Sequence, residues 1–299
     1  MNNIKSKFSI KDLENLSGIK AHTIRIWEKR YNLFEPNRTE TNIRYYSLAS
    51  LQKILNISYL NANGYKISKI ANLKTEEIPS LVKKISEDSD SKNHAVNIFK
   101  LAMINFDQTL FYNTFNDLIS EFSFKHIFYN ILVPLLDDIG ILWQTDTITA
   151  AHEHFIVELI KRKILINIDH AISTSNATND DTTYVLFLPD NEVHELGLLY
   201  TNYEIINQGS HTIYLGQSVP IDSLKFLLSQ YKKITFISCF TVKPEKDYIN
   251  KYLAEFNKKL LNNTNNNLII SGRMTAYIDS EVNPKITAFN STKDVIESF

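Results

Sequence analysis

Cysteine is nearly missing from this chain of 299 residues, with Cys239 the only one. A single thiol excludes internal disulfides and any metal cluster built from this chain's cysteines alone, and it suits a reducing cytoplasm. No apolar run reaches the length a bilayer demands, and the opening MNNIKSKFSI lacks the pattern of a signal peptide. No membrane partner is expected. A sustained heptad pattern is also absent, so dimer contacts are not expected from a long coiled coil. What is present is 43% hydrophobic and 22% charged, the composition of a soluble globular protein with room for two or three cores.

The net charge of −1 conceals an asymmetry. Residues 1–75 hold 13 Lys or Arg against 5 Asp or Glu, so the head carries +8 and the remainder −9. A basic head on an acidic body points to a polyanion at the head, nucleic acid first.

The head spells out how that polyanion is met. Ile10, Leu13 and Leu16 recur at helical spacing behind Ser9, a helix cap, and Gly18 provides a tight turn. A second helix opens near Lys20–Ala21, carrying Thr23, Arg25, Lys29 and Arg30 around apolar Ile24 and Trp27. Two short helices joined by a glycine turn, the second one basic, make a helix-turn-helix with a recognition helix. Further on stand Pro36 with Arg38, then Arg44–Tyr45–Tyr46, and Gly64–Tyr65 with Ile70. In this order the motifs resemble the MerR family of transcription regulators over about residues 8–75. Ile26 departs from the pattern by taking an aromatic place. The resemblance implies a winged helix-turn-helix over residues 1–77, binding a double-stranded DNA operator and acting on RNA polymerase indirectly. Arg25, Lys29 and Arg30 would reach the groove and its phosphates, with Thr23 beside them. Arg38, Arg44 and Tyr45 would touch the backbone from the wing.

Residues 78–93 are polar and acidic after a short amphipathic piece and read as a linker. Over residues 94–170 the periods are helical, in His94–Met103, Asp107–Glu121, Lys125–Leu142 and Ile148–Ile168, which predicts a bundle of about four helices. Within it Trp143 precedes Glu153–His154, with Thr147 or Thr149 as a cap between them. Alone, a tryptophan at a helix end reads as core packing and a Glu-His pair as helix surface. The spacing resembles the helical cap of cobalamin-dependent MerR regulators, photoreceptors among them, which implies that Trp143, Glu153 and His154 meet the upper face of a corrin. Gln144 stands where those photoreceptors carry a second histidine ligand, so the resemblance does not extend to a bis-histidine photoproduct.

Residues 171–182 read as a second linker, and strands and helices alternate over 183–299. Strands are predicted at Tyr184–Leu188, His211–Leu215, Ile234–Cys239, Leu268–Ser271 and Ile286–Phe289, with helices at Leu196–Gln208, Ile221–Gln230 and Pro244–Leu261. The first strand empties through a turn at Pro189–Asp190–Asn191 into Glu192-x-His194-x-x-Gly197, a junction where open α/β sheets place ligands. A lone loop histidine is by default structural, but an acid two residues before it could accept its Nδ1–H and orient it. The segment resembles the flavodoxin-like, Rossmann-like cobalamin-binding fold. That implies His194 as the axial cobalt ligand, Gly197 beside the corrin's tail, and Ser238 and Gly272 in the later motifs. Glu192 replaces an aspartate of the family pattern, Phe240 a leucine, and Ser271 a glycine, and the last two are expected to narrow the tail's slot.

The expectation is a multidomain regulator, not an enzyme: an all-α winged head, an α-helical bundle cap and an α/β cobalamin-binding-type domain. Adenosyl- or methylcobalamin would be its cofactor, and the state of a homo-oligomer, dimer or tetramer, its output. The alternatives are a regulator that kept the fold but answers to another ligand or a protein partner, and a corrinoid methyltransferase module. The basic head and the want of a zinc-thiolate set speak against the latter.

Overall fold

The computed structural model describes residues 7–74, 77–88, 92–175, 181–279 and 283–299. The chain divides into two compact units, Met1–Ile160 and Lys161–Phe299.

In the first unit, α1 (Ile10–Ser17) starts on a reciprocal cap: the Ser9 hydroxyl accepts from the Asp12 amide, and Asp12 accepts from the Ser9 amide. It ends at Gly18, whose φ of 74° glycine adopts without the strain a β-carbon brings. Helix α2 (Ala21–Tyr31) buries Ile24 and Trp27 and leaves its basic residues outside. A short antiparallel hairpin follows, β1 (Asn37–Arg38) with β2 (Arg44–Tyr45), and Phe8 exchanges two backbone hydrogen bonds with Tyr46 at its base. Then come α3 (Leu48–Ala62), capped by Ser47, and the single turn α4 (Ile67–Ile70).

The stretch 78–93 is not a linker. Most of it is α5 (Glu77–Asp88), which buries Ile78 and Val82 and packs on α3, while 89–91 lie outside the described residues. Its serines and acids mask an apolar period that tertiary packing uses.

The bundle comprises α6 (Lys92–Asn105), α7 (Gln108–Glu121) behind an Asp107 cap, α8 (Phe124–Ile127), α9 (Val133–Gln144) and α10 (Ala150–Thr174). Helices α8 and α9 join through a π-helical turn, Phe128–Leu132, in which the Val133 amide reaches back to the Phe128 carbonyl. The wider turn precedes Pro134, which has no N–H of its own to bond. The resulting helix, Phe124–Gln144, is long and apolar enough to span a bilayer by length and composition, contrary to the expectation that no such stretch exists. Its Ile127, Ile131, Leu132 and Leu135 are fully buried in the bundle, and Asp138 pairs with Lys100 of α6 at 2.6 Å.

Helix α10 runs past the predicted end of the bundle into the stretch 171–182, of which 176–180 lie outside the described residues. In the second unit a five-stranded sheet runs β4 (Thr212–Gly216), β3 (Thr182–Phe187), β5 (Lys233–Cys239), β6 (Asn267–Ser271), β7 (Ile286–Ala288), with every pairing parallel. One face packs Val185, Phe187, Phe236 and Phe240 against α13 (Ile249–Phe256) and α12 (Ile221–Leu224). The other packs Leu186, Leu188, Ile237 and Cys239 against α11 (Leu196–Asn207) and α14 (Thr292–Glu297). The crevice between β3 and β5, where the strand order reverses, is the ligand position of such folds.

Candidate functional site

The basic residues of the head stand on one rigid frame. Arg25, Lys29 and Arg30 are exposed on α2, and Thr23 is half-buried with its hydroxyl 3.3 Å from His22. Glu28, on the same helix, accepts a short hydrogen bond from the buried Tyr46 hydroxyl and lies 4.0 Å from the Arg44 guanidinium. Burial and the neighbouring Glu28 carboxylate push the Tyr46 phenol up, so it stays a donor. Glu28 thus ties α2 to the hairpin, a role the sequence did not declare. Arg38 donates to the Asn42 side chain at 2.6 Å and closes the hairpin's turn, while half-buried Tyr45 carries the Lys7 ammonium over its ring. Arg38 and Tyr45 shape the hairpin that presents Arg44.

In the bundle, Trp143 ends α9 and is 53% exposed, so the core-packing reading of this tryptophan fails. Gln144 and His154 are exposed and Glu153 is half-buried. The buried histidine here is His152, which stacks on Phe106 and accepts from the Thr149 amide at the start of α10.

The second unit holds the most tightly built cluster. Asn191, at a φ of 63°, turns the chain after β3, as asparagine can, and delivers Glu192 to the crevice. Glu192 is fully buried. Its Oε1 accepts from the Val193 and His194 amides at 2.9 and 3.0 Å and from His194 Nδ1 at 2.5 Å. Its Oε2 accepts from three successive amides of the loop after β5: Thr241, Val242 and Lys243, at 3.2, 2.7 and 2.8 Å. Burial opposes ionisation, but the bonds from His194 and from the loop amides prevail and bring the carboxyl down to about 2. An ionised carboxylate can only accept, so Nδ1 carries the imidazole proton and Nε2 is the nitrogen with metal-binding chemistry. Half of the His194 side chain is exposed.

A second acid next to it went unnoticed in the sequence. Glu195 accepts from Lys161 of α10 at 2.5 Å, from Gln217 at 2.7 Å and from the Tyr214 hydroxyl at 2.9 Å. Burial raises its carboxyl, yet the lysine, tyrosine and glutamine bonds hold it below the usual range. The EVHELG string shows two acids flanking His194 but not that each is anchored by a different part of the fold.

The remaining predicted residues separate by sheet face. Gly197 meets α14: a β-carbon there would lie 3.1 Å from the Thr292 hydroxyl and 3.9 Å from Cys239 Sγ. Ser271 is on the same face, its hydroxyl directed at Cys239. Ser238 is not part of this group, since its hydroxyl donates to the Phe187 carbonyl at 2.8 Å. Phe240 packs edge-on against Tyr252 in the α13 core, so it does not narrow the Gly197 side, contrary to expectation. Gly272, at a φ of 106°, permits the Phe240 carbonyl to pass within 2.4 Å of where a β-carbon would be. An imidazole held by a buried, ionised carboxylate has the chemistry of a ligand for a cobalt-bearing cofactor. Among the described residues no group of three or more histidine, cysteine and acid side chains is placed to hold a metal ion by itself.

Comparison with known proteins bears on the head and the bundle. Residues 8–77 match the family described as MerR HTH family regulatory protein, and residues 96–166 match the B12 binding domain. The chain is 26% identical over 216 residues to the HTH-type transcriptional repressor CarH of Myxococcus xanthus, covering 70% of each protein. It is 25% identical over 222 residues to the repressor CarA of the same organism, covering 72% of this chain and 70% of that one. Among solved structures, the Methanosarcina barkeri monomethylamine corrinoid protein aligns with a TM-score of 0.50 at 11% identity, over 67% of this chain and 94% of that one, a likeness of fold. The relatives of known role over this length are regulators and not enzymes. The chain joins a MerR-type helix-turn-helix head to a B12 binding domain and is homologous to the CarH and CarA transcriptional repressors.

Proposed function

We propose that this DNA-binding regulator of the MerR type senses a cobalamin through His194, and that the sensor sets its oligomeric state and thereby its affinity for an operator. The observation that carries the reading is the 2.5 Å contact of His194 Nδ1 with the buried Glu192 carboxylate, which orients the ring and fixes its tautomer. When bound, a cobalamin would supply a cobalt centre that an imidazole nitrogen such as that of His194 can ligate. Glu192 holds the proton on Nδ1, and the Thr241–Lys243 amides hold Glu192. Trp143, Glu153 and His154, and Gly197, Ser238 and Gly272, are the further residues that would contact the cofactor. Adenosyl- or methylcobalamin is the form in view.

In the head, Arg25, Lys29 and Arg30 are assigned to the major groove, and Arg44, on a wing shaped by Arg38 and Tyr45, to the phosphate backbone. A homo-oligomer of two or four chains would act in the cytoplasm on transcription, reaching RNA polymerase through the DNA. A coupling of this kind requires that the ligand bind one oligomeric state more tightly than the other.

The deciding experiment is an absorbance titration of the full chain with hydroxocobalamin and adenosylcobalamin. A spectral change on binding that His194→Ala removes is expected. The same spectrum in parent and variant would remove His194 from the cobalt, and a chain that binds neither compound would remove cobalamin from the proposal.

A further inference from the structure

A cleft of about 320 Å³ opens at the carboxyl ends of β3 and β5, on the α13 side of the sheet. Neither Glu192 nor His194 lines it. Four carboxylates border it: Asp190, Asp222, Glu245 and Glu255. Three of them have lysine partners. The Lys259 ammonium lies 2.8 Å from Asp222 and 2.6 Å from Glu255, and Lys243 pairs with Glu245. Asp190 is exposed at the turn after β3, and among the described residues no cation pairs with it.

Tyr252 supplies an independent observation. It lines the cleft, it is 4% exposed, and its buried hydroxyl has no hydrogen-bond partner. The ring packs edge-on against Phe240 with centroids 5.6 Å apart. A buried hydroxyl without a partner is a cost that a ligand can remove. Beside it Tyr248 is 42% exposed, and its ring already draws the Lys251 ammonium to 5.7 Å.

These features select a ligand chemistry. With the other three acids answered by lysines, Lys243 itself in the lining, Asp190 is the charge left over, which favours a cation over an anion, and a wholly apolar ligand leaves the Tyr252 hydroxyl unmet. The acids are not gathered as a metal site, since no three metal-binding side chains converge among the described residues. What remains is a cation carrying hydrogen-bonding groups, small enough for the space.

We propose that this cleft binds a small organic ammonium ion, a protonated aliphatic amine whose N–H groups meet the Asp190 carboxylate and the Tyr252 hydroxyl and whose charge rests against the tyrosine rings. The cleft adjoins the His194 cluster through the turn at Asp190–Asn191 and through Lys243, but neither Glu192 nor His194 lines it, and the proposal stands whether or not cobalamin binds there.

The test compares two probes of equal length that differ in charge, putrescine and 1,4-butanediol, titrated calorimetrically into the full chain at physiological salt. Putrescine is expected to bind saturably with a Kd below about 1 mM, and the diol at least roughly tenfold more weakly. Asp190→Asn, at an exposed position that leaves the fold intact, should weaken putrescine by about tenfold, and Tyr252→Phe by several-fold. Equal binding of the two probes would make the cleft a polyol site and overturn the proposal. Putrescine binding untouched by Asp190→Asn would place the amine elsewhere and do the same, as would no saturable binding at millimolar concentrations.

Discussion

At the scale of single residues, Glu192 decides the character of the sensor loop. An aspartate would suffice to hold an imidazole two residues on; the extra methylene lets this side chain serve two loops at once. One oxygen organises its own loop and the other collects three amides from a loop some fifty residues later. The first half of that role was legible, because the acid and the histidine are neighbours in the chain. The second was not, since nothing in the string SCFTVKPEK announces a carboxylate partner. The carboxyl stands at about 2 in the fold against an ordinary 4.5. Its stabilisation is therefore fully present above about pH 5 and is lost as the pH falls toward 2, an effect on the order of 3 kcal/mol. Glu192→Gln turns an NH₂ group toward amide donors and removes that dependence. Hydrogen exchange should show the Val242 and Lys243 amides opening faster in the variant at pH 7, with the gap to the parent narrowing below about pH 5 and closing only as the pH approaches 2. Exchange that is equal in both proteins at pH 7 would contradict the assigned bonds.

At the scale of elements, the sheet was readable and its irregular ends were not. All five strands fall within two residues of the expected bounds, because buried parallel strands are short apolar runs closed by turn residues. The predicted helix 221–230 splits into α12 and a 3₁₀ turn, and α13 begins at Ile249, five residues after Pro244. Helix α14, six residues long, gave too little period to notice, yet it is what Gly197 packs against. Phe240 lies away from Gly197 because alternation along β5 sends Phe236, Ser238 and Phe240 to one face and Ile237 and Cys239 to the other. The two motif glycines should accordingly respond differently. Gly272→Ala combines a left-handed backbone with a β-carbon 2.4 Å from the Phe240 carbonyl oxygen, and roughly 3 kcal/mol of destabilisation is expected. Gly197→Ala meets only the Thr292 hydroxyl at 3.1 Å, a side chain that can give way, and should cost less than about 1 kcal/mol. Thermal unfolding of the two variants checks the ordering, and a larger loss at Gly197 would refute it.

At the scale of the whole molecule, the charge division joins the two halves of the argument. The +8 head and −9 remainder were visible in the sequence, as was the order of the head's motifs. What the sequence could not supply is how the charges are mounted. Arg25, Lys29 and Arg30 project from a helix whose opposite side is locked in the core by Ile24 and Trp27, and Glu28 spans from that helix to the hairpin. Where these exposed side chains meet phosphate, their contribution to DNA affinity should appear as counterion release. Each lysine or arginine on a phosphate adds about 0.9 to the slope of log affinity against log salt. Arg25→Ala combined with Arg44→Ala removes two such groups per chain, and the slope for operator DNA should fall by about 2 for every chain bound. Fluorescence anisotropy across a salt series reads this directly. Because Arg44 also faces Glu28 at 4.0 Å, a part of its charge is already answered within the protein, and Arg25→Ala alone should carry the larger share. A double variant that keeps both the parent's slope and its affinity would mean that the basic face of α2 and the hairpin do not touch the DNA.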